Sequence, residues 1–370
     1  MLGAPFTIRP QEHEVFVGMD VDKHSIALTV QDHGSLLKSF KTPYRPDQVI
    51  QYVRRHHSDR RVVFAYEAGP TGYGLHDELE INGFPCLVVS PQNIPSLPGE
   101  RVKTNRRDSM KICEALRGGH LKSIHVPSFP YRQLRHLTQL RDSFVAQATE
   151  SKMRIKSLLL FEGLPFPSEK GTWTISAMAS LSTLPASPAV RFKLDALLET
   201  LRFAQNQTIK TQREIQALIQ REPQLQKDIN LLTTIPGIGK IVAVHLLARI
   251  GDGRLIERTK QVPAFLGLVP RENSTGDSVH RGPITKSGDS RLRNKLVQSA
   301  WMAIRTDGAL AQFYHHILAR NPKDHGAGKA IVACARKLAM RVGAVLKTRT
   351  EYKRTSLTSV SDSPRGQLDG

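Results

Sequence analysis

The chain has 370 residues, of which 39% are hydrophobic and 6% aromatic, and its 53 lysines and arginines against 33 acids give a formal net charge of +20. This length predicts two or three domains with real cores, and the apolar fraction excludes a largely disordered chain. Neither a secretory h-region nor an apolar window of membrane-spanning length is found, and the three cysteines lack zinc or redox spacing, so we expect a protein of the reduced cytoplasm without a membrane partner.

The first domain is predicted over residues 12–125 as α/β with a mixed sheet. Apolar runs alternate with helical stretches there, and the short link after Val21 favours a hairpin between the first two strands. The predicted strands are Val15–Val21, Ser25–Val30, Arg61–Tyr66 and Pro85–Val89. The predicted helices are Pro46–His57, Gly72–Asn82 and Arg107–Arg117.

All-α structure is predicted for most of the remainder. Residues 126–229 carry two helical periodicities separated by the proline- and glycine-containing GLPFPSEKGTW segment, which fits either a helical core subdomain or a protruding coiled-coil arm for dimerisation. Residues 230–347 predict a compact, mostly helical domain with a glycine-rich loop near Ser274. From 348 to 370 the sequence is polar and turn-rich, so disorder is expected.

Acidic or amide side chains occupy four suggestive positions in the first domain. Asp20 and Glu67 end two predicted buried strands, and Asn105 and Asp108 are three residues apart, as on one helix face. If they converge, their oxygens suit two Mg²⁺ ions that could promote phosphodiester chemistry. Taken singly, Asp20 also fits a surface turn and Glu67 a helix-capping acid. Asp22 is a possible substitute ligand.

Two further segments indicate contact with nucleic acid. The IPGIGK run between helical patterns resembles a helix-hairpin-helix turn, in which Gly237 and Gly239 would let backbone amides approach a phosphate and Lys240 would add charge. A tight helix connection without a ligand is the alternative. Nucleic-acid contacts are also predicted from basic side chains in the loop and the following helix: Arg271, Arg281, Lys286, Arg291 and Arg293.

The segments GMDVDKHS, YEAGPTGYGL, KTNRRDSMKICEAL, GLVPRENSTG and RGPITKSGDSRLR, in this order, resemble the DEDD-type bacterial insertion-sequence transposases, RuvC-like recombinases that work with a bridge RNA. The resemblance implies an RNase H-like (RuvC-like) first domain, with Asp20, Glu67, Asn105 and Asp108 as catalytic Mg²⁺ ligands. Asn105 departs from the acidic pattern. It also implies a serine nucleophile that forms a 5′-phosphoserine link to DNA, for which Ser274 is favoured over Thr275.

The resemblance further implies DNA element ends and targets as partners, a structured guide RNA, a dimer or tetramer, and a bacterial, nucleoid-associated location. A DNA transposase with a composite site, acidic in one protomer and serine-bearing in another, is therefore the first hypothesis. Two alternatives remain. One is a catalytically decayed protein that only binds nucleic acid, and the other is a RuvC-like structure-specific nuclease.

Overall fold

A computed structural model describes residues 9–95, 104–168, 171–253, 256–275, 278–320 and 326–353, apart from the side chains of 273–275 and 278–281. The chain divides into two compact units, and the boundary lies between Val126 and Pro127. None of the helices in these residues combines the length and the apolar character needed to cross a membrane.

The first unit contains a five-stranded mixed sheet with the strand order β3-β2-β1-β4-β5. Strands β1 to β3 are antiparallel neighbours, whereas β4 and β5 run parallel to β1. The strands are β1 (Val15–Val21), β2 (Ser25–Gln31), β3 (Leu36–Pro43), β4 (Val62–Glu67) and β5 (Cys86–Val89). The helices are α1 (Pro46–His56), α2 (Gly74–Ile81) and α3 (Asn105–Arg117).

Helix α3 packs unusually close to the sheet. A Cβ on Gly18 of β1 would lie only 2.3 Å from the backbone nitrogen of Cys113 and from the carbonyl oxygen of Ser109, so only glycine permits this approach. The buried hydroxyls of Thr29 on β2 and Ser109 on α3 are hydrogen-bonded at 2.9 Å. On this face of the sheet, the fully buried Phe16 forms an apolar cluster with Val63 and Leu87 and with residues of α3.

The mixed sheet and the β1–β2 hairpin are confirmed, and the four predicted strands and three predicted helices lie within two residues of their observed bounds. Strand β3 was not predicted. It is an edge strand whose residues are mostly exposed, so it lacks the apolar alternation that marks a half-buried strand.

The second unit is mostly helical. Its helices are α4 (Phe129–Phe161), α5 (Ile175–Thr183), α6 (Pro188–Arg221), α7 (Pro223–Thr233), α8 (Lys240–Ile250), α9 (Gln261–Phe265), α10 (Ser290–Ala303), α11 (Gly308–Arg320) and α12 (Gly326–Thr348). Two strands, β6 (Pro270–Thr275) and β7 (Ser278–Ile284), pair antiparallel. The segment expected to be a glycine-rich loop is therefore largely a hairpin, whose backbone groups are satisfied by cross-strand pairing.

The regions expected as separate middle and C-terminal domains belong to one compact unit. Tyr131 and Leu134 at the start of α4 are buried in the same core cluster as α8, α10 and α12. A separate cluster stabilises the far part of α4 and α6, where Ile155, Leu194 and Leu198 are buried. The second of the two predicted helical periodicities is divided between two helices, because α6 ends at Arg221 and α7 begins at Pro223.

The start of the segment expected to be disordered is held in place. Arg349 donates to the fully buried carboxylate of Asp228 at 2.7 Å, and the backbone amide of Tyr352 donates to the Thr234 hydroxyl at 2.9 Å. The expectation of disorder is thus wrong for these residues, because a polar sequence supplied the cation and donors that buried acceptors require. Residues 354–370 lie outside the described part.

Candidate functional site

The structure brings the acids of the first unit to the α3 face of the sheet. Side chains alternate along a strand, so Asp20 shares this face with Phe16 and Gly18, and Glu67 shares it with Val63. Because β1 and β4 are parallel neighbours in register at Met19 and Tyr66, their carboxyl ends meet at the same edge. Both carboxylates are consequently half-buried at one end of the sheet.

The charges of this cluster act on one another. Burial raises the pKa of the Asp20 carboxyl above its ordinary value, and the negative charges of Asp108 and Glu67 raise it further. Asp22 contributes in the same direction, whereas Lys41 opposes it. The ionised form of Asp20 is therefore disfavoured in the protein alone, which is the electrostatic condition that a bound cation relieves.

Asp108 is carried by the first turn of α3. The Thr104 hydroxyl caps this helix by accepting from the amide of Arg107, and an acid in the first turn is stabilised by the helix dipole. Asn105 is the first residue of the same helix and is partly buried. Lys111, one turn later, lies 3.9 Å from the Asp108 carboxylate.

Lys41 is a neighbour of this site that sequence reasoning missed. Asp20 pairs with Ala27 on β2, and Ala27 pairs with Lys41 on β3, so Asp20 and Lys41 lie in one cross-strand row on the same face. The residue between them is Ala27, whose short side chain does not fill the space between the carboxylate and the ammonium group. Lys41 was missed because strand β3 was not predicted, and only the pairing of β3 with β2 brings Lys41 to this position.

The acidic cluster contains oxygen donors only, which is the donor type that Mg²⁺ selects. Among the residues that the structure describes, no three His, Cys, Asp or Glu side chains are arranged closely enough to share one metal ion. Asp22 lies in the exposed β1–β2 turn, where its carboxylate accepts from the amide of Lys23 at 2.6 Å. The assignment of Asp20, Glu67, Asn105 and Asp108 as metal ligands therefore stays a prediction, because their described positions do not bring three acids to one ion.

The glycine turn of the second unit joins α7 to α8, and its two glycines differ. Gly237 has a φ of +83°, and a Cβ there would lie 2.3 Å from the carbonyl oxygen of Ser299 on α10, so this glycine faces the protein. Gly239 caps α8, and a Cβ on it would meet no heavy atom within 4 Å in the described residues. Gly239 and the exposed Lys240 are the members of the turn that are open to a ligand.

The predicted basic contacts have different surroundings. Arg291 on α10 is exposed, as are Arg271 and Lys286. Arg293 is partly buried, and its guanidinium donates to three carbonyl oxygens, those of Leu266, Ser287 and Gly288, at 2.8–3.3 Å. Arg293 therefore joins the loop to α10 in this structure, and the side chain of Arg281 lies outside the described part.

Ser274 lies on β6, where its backbone pairs with Val279 of β7. Thr275 is the last residue of that strand. Both candidate nucleophiles therefore lie at the closed end of the hairpin, but their side chains are outside the described part. The structure consequently leaves the choice between Ser274 and Thr275 open.

Comparison with known proteins gives the family. A family model described as "Transposase", for DEDD transposases of the IS110 type, matches residues 17–162, and one described as "Transposase IS116/IS110/IS902 family" matches residues 229–315. The first match spans all four candidate metal ligands, and the second spans the glycine turn and the β6–β7 hairpin.

Named relatives agree with these matches. The chain is 32% identical to the transposase y4qE of Sinorhizobium fredii over 293 residues, which are 78% of this chain and 71% of that protein. It is 26% identical to the transposase for insertion sequence element IS1328 of Yersinia enterocolitica over 86% of this chain and 92% of that protein. A pilin gene-inverting protein of Moraxella bovis is 34% identical over 140 residues, 38% of this chain and 43% of that protein. The chain therefore belongs to the IS116/IS110/IS902 family of transposases.

Proposed function

We propose that this transposase excises and inserts a DNA element by Mg²⁺-dependent strand cleavage at the acidic cluster and by strand exchange through a covalent serine–DNA intermediate. The observation that supports the proposal is that Asp20 and Glu67 lie at the same end of two neighbouring parallel strands, and that the charges of Asp108 and Glu67 add to burial in raising the pKa of Asp20. The strand order β3-β2-β1-β4-β5 supports an RNase H-like arrangement of the first unit. Similarity to a pilin gene-inverting protein supports recombination of DNA as the reaction class.

The candidate ligands offer only oxygen atoms, which is the donor type that Mg²⁺ prefers. Asp20, Glu67 and Asp108 would hold it through carboxylate oxygens, and Asn105 would add a neutral amide oxygen. When bound, Mg²⁺ supplies charge stabilisation to a phosphodiester under attack. Lys41 lies on the same sheet face and is exposed, so we assign it to the phosphate backbone of the DNA strand beside the acids.

The serine step is written for Ser274. Its Oγ forms a bond to the phosphorus of a DNA phosphodiester, the bond from phosphorus to the 3′ oxygen breaks, and the hydroxyl proton ends on that departing oxygen. The 5′ phosphate then remains attached to the protein until a 3′ hydroxyl reverses the step. The family matches, which include the β6–β7 hairpin, support this assignment, and Arg271, Arg281 and Lys286 would stabilise the negative phosphorane.

The acidic cluster is tested by Asp20→Asn, Glu67→Gln and Asp108→Asn in an excision assay with Mg²⁺. We expect each variant to lose at least about 100-fold in rate, as for removal of a transition-state charge stabiliser. Asp22→Asn is the matched control, because this nearby carboxylate is engaged in the β1–β2 turn. Equal activity of Asp20→Asn and Asp22→Asn would exclude the site.

The nucleophile is tested separately by Ser274→Ala and Thr275→Ala with end-labelled DNA. Covalent protein–DNA adducts should disappear in Ser274→Ala and persist in Thr275→Ala. The reverse pattern would assign the nucleophile to Thr275. Free 5′-phosphate ends without adducts in the wild type would support the structure-specific nuclease, and tight DNA binding without any Mg²⁺-dependent cleavage would support the decayed binding protein.

The partners are proposed on the family alone, with one structural addition. We propose a structured guide RNA, which would copurify with the protein and be lost on ribonuclease treatment. We also propose a dimer or tetramer in the bacterial cytoplasm, associated with the nucleoid. Phe161 at the end of α4 and Ile175 at the start of α5 are strongly exposed, which supports self-association through these residues. The double variant Phe161→Ser with Ile175→Ser should then lower the mass measured by light scattering.

A further inference from the structure

A cleft of about 540 Å³ opens in the second unit, and no residue of the β6–β7 hairpin is among its described lining residues. Helices α4 and α10 form its walls, and the glycine turn at Gly237 with Val242 of α8 forms one end. The lining residues are Asp142, Val145, Ala146, Gly237, Val242, Arg291, Asn294, Lys295, Gln298, Ser299 and Met302. Its volume lies in the range of about 300–1,000 Å³ in which proteins bind single small molecules.

The cleft has an apolar wall and a polar wall. Val145 and Ala146 on α4 and Val242 on α8 present aliphatic surface. On α10, Arg291, Asn294 and Gln298 are exposed at spacings of three and four residues, so they form one stripe along the helix. Met302, which is 55% exposed, continues that stripe with a flexible apolar side chain.

The one acid in the lining is already neutralised by its neighbours. The Asp142 carboxylate lies 3.0 Å from Nε2 of His245 and 3.1 Å from Nζ of Lys295. Burial would raise the pKa of Asp142, but the hydrogen bonds and charges of His245 and Lys295 outweigh it and lower the pKa to about 2. The carboxylate is therefore already engaged by His245 and Lys295, and the exposed Arg291 leaves the rim of the cleft basic.

These features match an unpaired nucleotide. An apolar slot accepts the face of a base, amide side chains such as Asn294 and Gln298 can bond to base edges, and an exposed arginine binds phosphate. The cleft is too small for a duplex. We propose that it binds one unpaired nucleotide of the DNA strand that the transposase exchanges. This inference rests on the proposed function, since strand exchange is what exposes unpaired DNA.

The inference is tested by measuring oligonucleotide binding by the Gln298→Ala and Met302→Ala variants. Both positions are exposed, so neither substitution removes a buried side chain. Gln226→Ala on α7 is the control, because the side-chain amide of this partly buried residue donates only to Asn230 on its own helix in the described residues. We expect each cleft variant to bind a single-stranded DNA 12-mer about tenfold more weakly, as for the loss of one base contact, while blunt duplex binding changes less than twofold. Equal losses for duplex and single strand would overturn the proposal, as would unchanged binding in both variants.

A photochemical experiment locates the nucleotide directly. A single-stranded 12-mer with one 4-thiothymidine is irradiated with the full-length wild type, and we expect a cross-linked peptide from α10 or from Val145–Ala146 of α4. Cross-links confined to other peptides would overturn the assignment. Asp20→Asn serves to separate the two proposals, because it should lose excision and yet bind and cross-link the oligonucleotide as the wild type does.

Discussion

Replacing Gly18 with alanine tests whether the fit of α3 against β1 holds Asp108 at the acidic cluster. The new Cβ would lie 2.3 Å from two backbone atoms of α3, those of Ser109 and Cys113, where ordinary contact begins near 3.4 Å. Backbone cannot rotate away, so the helix must shift by about 1 Å, at a cost of about 1–3 kcal/mol in unfolding free energy. A displacement of that size at a reacting centre lowers the rate about 100-fold.

The assay compares Gly18→Ala with Gly34→Ala, whose Cβ would meet only the Asp32 carboxylate, at 3.8 Å, among the described residues. Excision with Mg²⁺ measures function, and hydrogen exchange of peptides from α3 measures local opening. We expect faster exchange in α3 and loss of excision in Gly18→Ala alone. If Gly18→Ala exchanges and excises like Gly34→Ala, α3 does not position the site in the way we describe.

Three further results are expected. Asp20→Asn should raise the urea midpoint of unfolding in EDTA at pH 7, because burial and neighbouring acids raise the pKa of Asp20 and so make its charged form destabilising. This gain should vanish below pH 3.8, and a lower midpoint at pH 7 would contradict the reasoning. Asp142→Asn should lower the free energy of unfolding by about 2 kcal/mol at pH 7, because a pKa lowered to about 2 gives stability that is lost only as the pH falls from 3.8 toward 2. An equal loss at pH 7 and at pH 2 would refute this. Arg349→Met should lower the free energy of urea unfolding by about 3–5 kcal/mol, because it leaves the buried carboxylate of Asp228 without its cation. Lys353→Met, at an exposed lysine four residues later, is the control and should change it little; equal losses would show that the pair of Arg349 and Asp228 does not stabilise the fold.

The acidic cluster was accessible to sequence reasoning because each member sits at a position with a local signal. Asp20 and Glu67 end apolar runs that form strands regardless of context, and Asp108 follows a threonine that caps a helix. Lys41 has no such signal. Its strand forms only by pairing with β2, and that pairing is tertiary information which a single sequence does not display.

The glycine turn shows the same limit in another form. The sequence predicted that Gly237 and Gly239 both let backbone amides approach a phosphate, with a tight helix connection without a ligand as the alternative. Gly237 approaches the backbone of α10, more than sixty positions later in the chain, whereas Gly239 remains open. The pattern of glycines therefore fixes where the backbone must come near something, and only the fold decides whether that neighbour is protein or ligand.

The first unit must hold like charges together, and its packing explains how it does so. Ionised Asp20, Glu67 and Asp108 repel one another, and Asp20 is partly desolvated as well. Two contacts hold α3 on the sheet against this repulsion: the close fit at Gly18, two residues from Asp20, and the buried Thr29–Ser109 hydrogen bond, next to Asp108. The apolar contacts of α3 with β1 and β4 add the larger favourable part. A helix held by contacts that do not involve the acids cannot relax away when they ionise, so the repulsion is retained until a cation binds. Such a site gains more from a divalent ion than a loose cluster would, because the ion removes an existing penalty in addition to forming its own bonds.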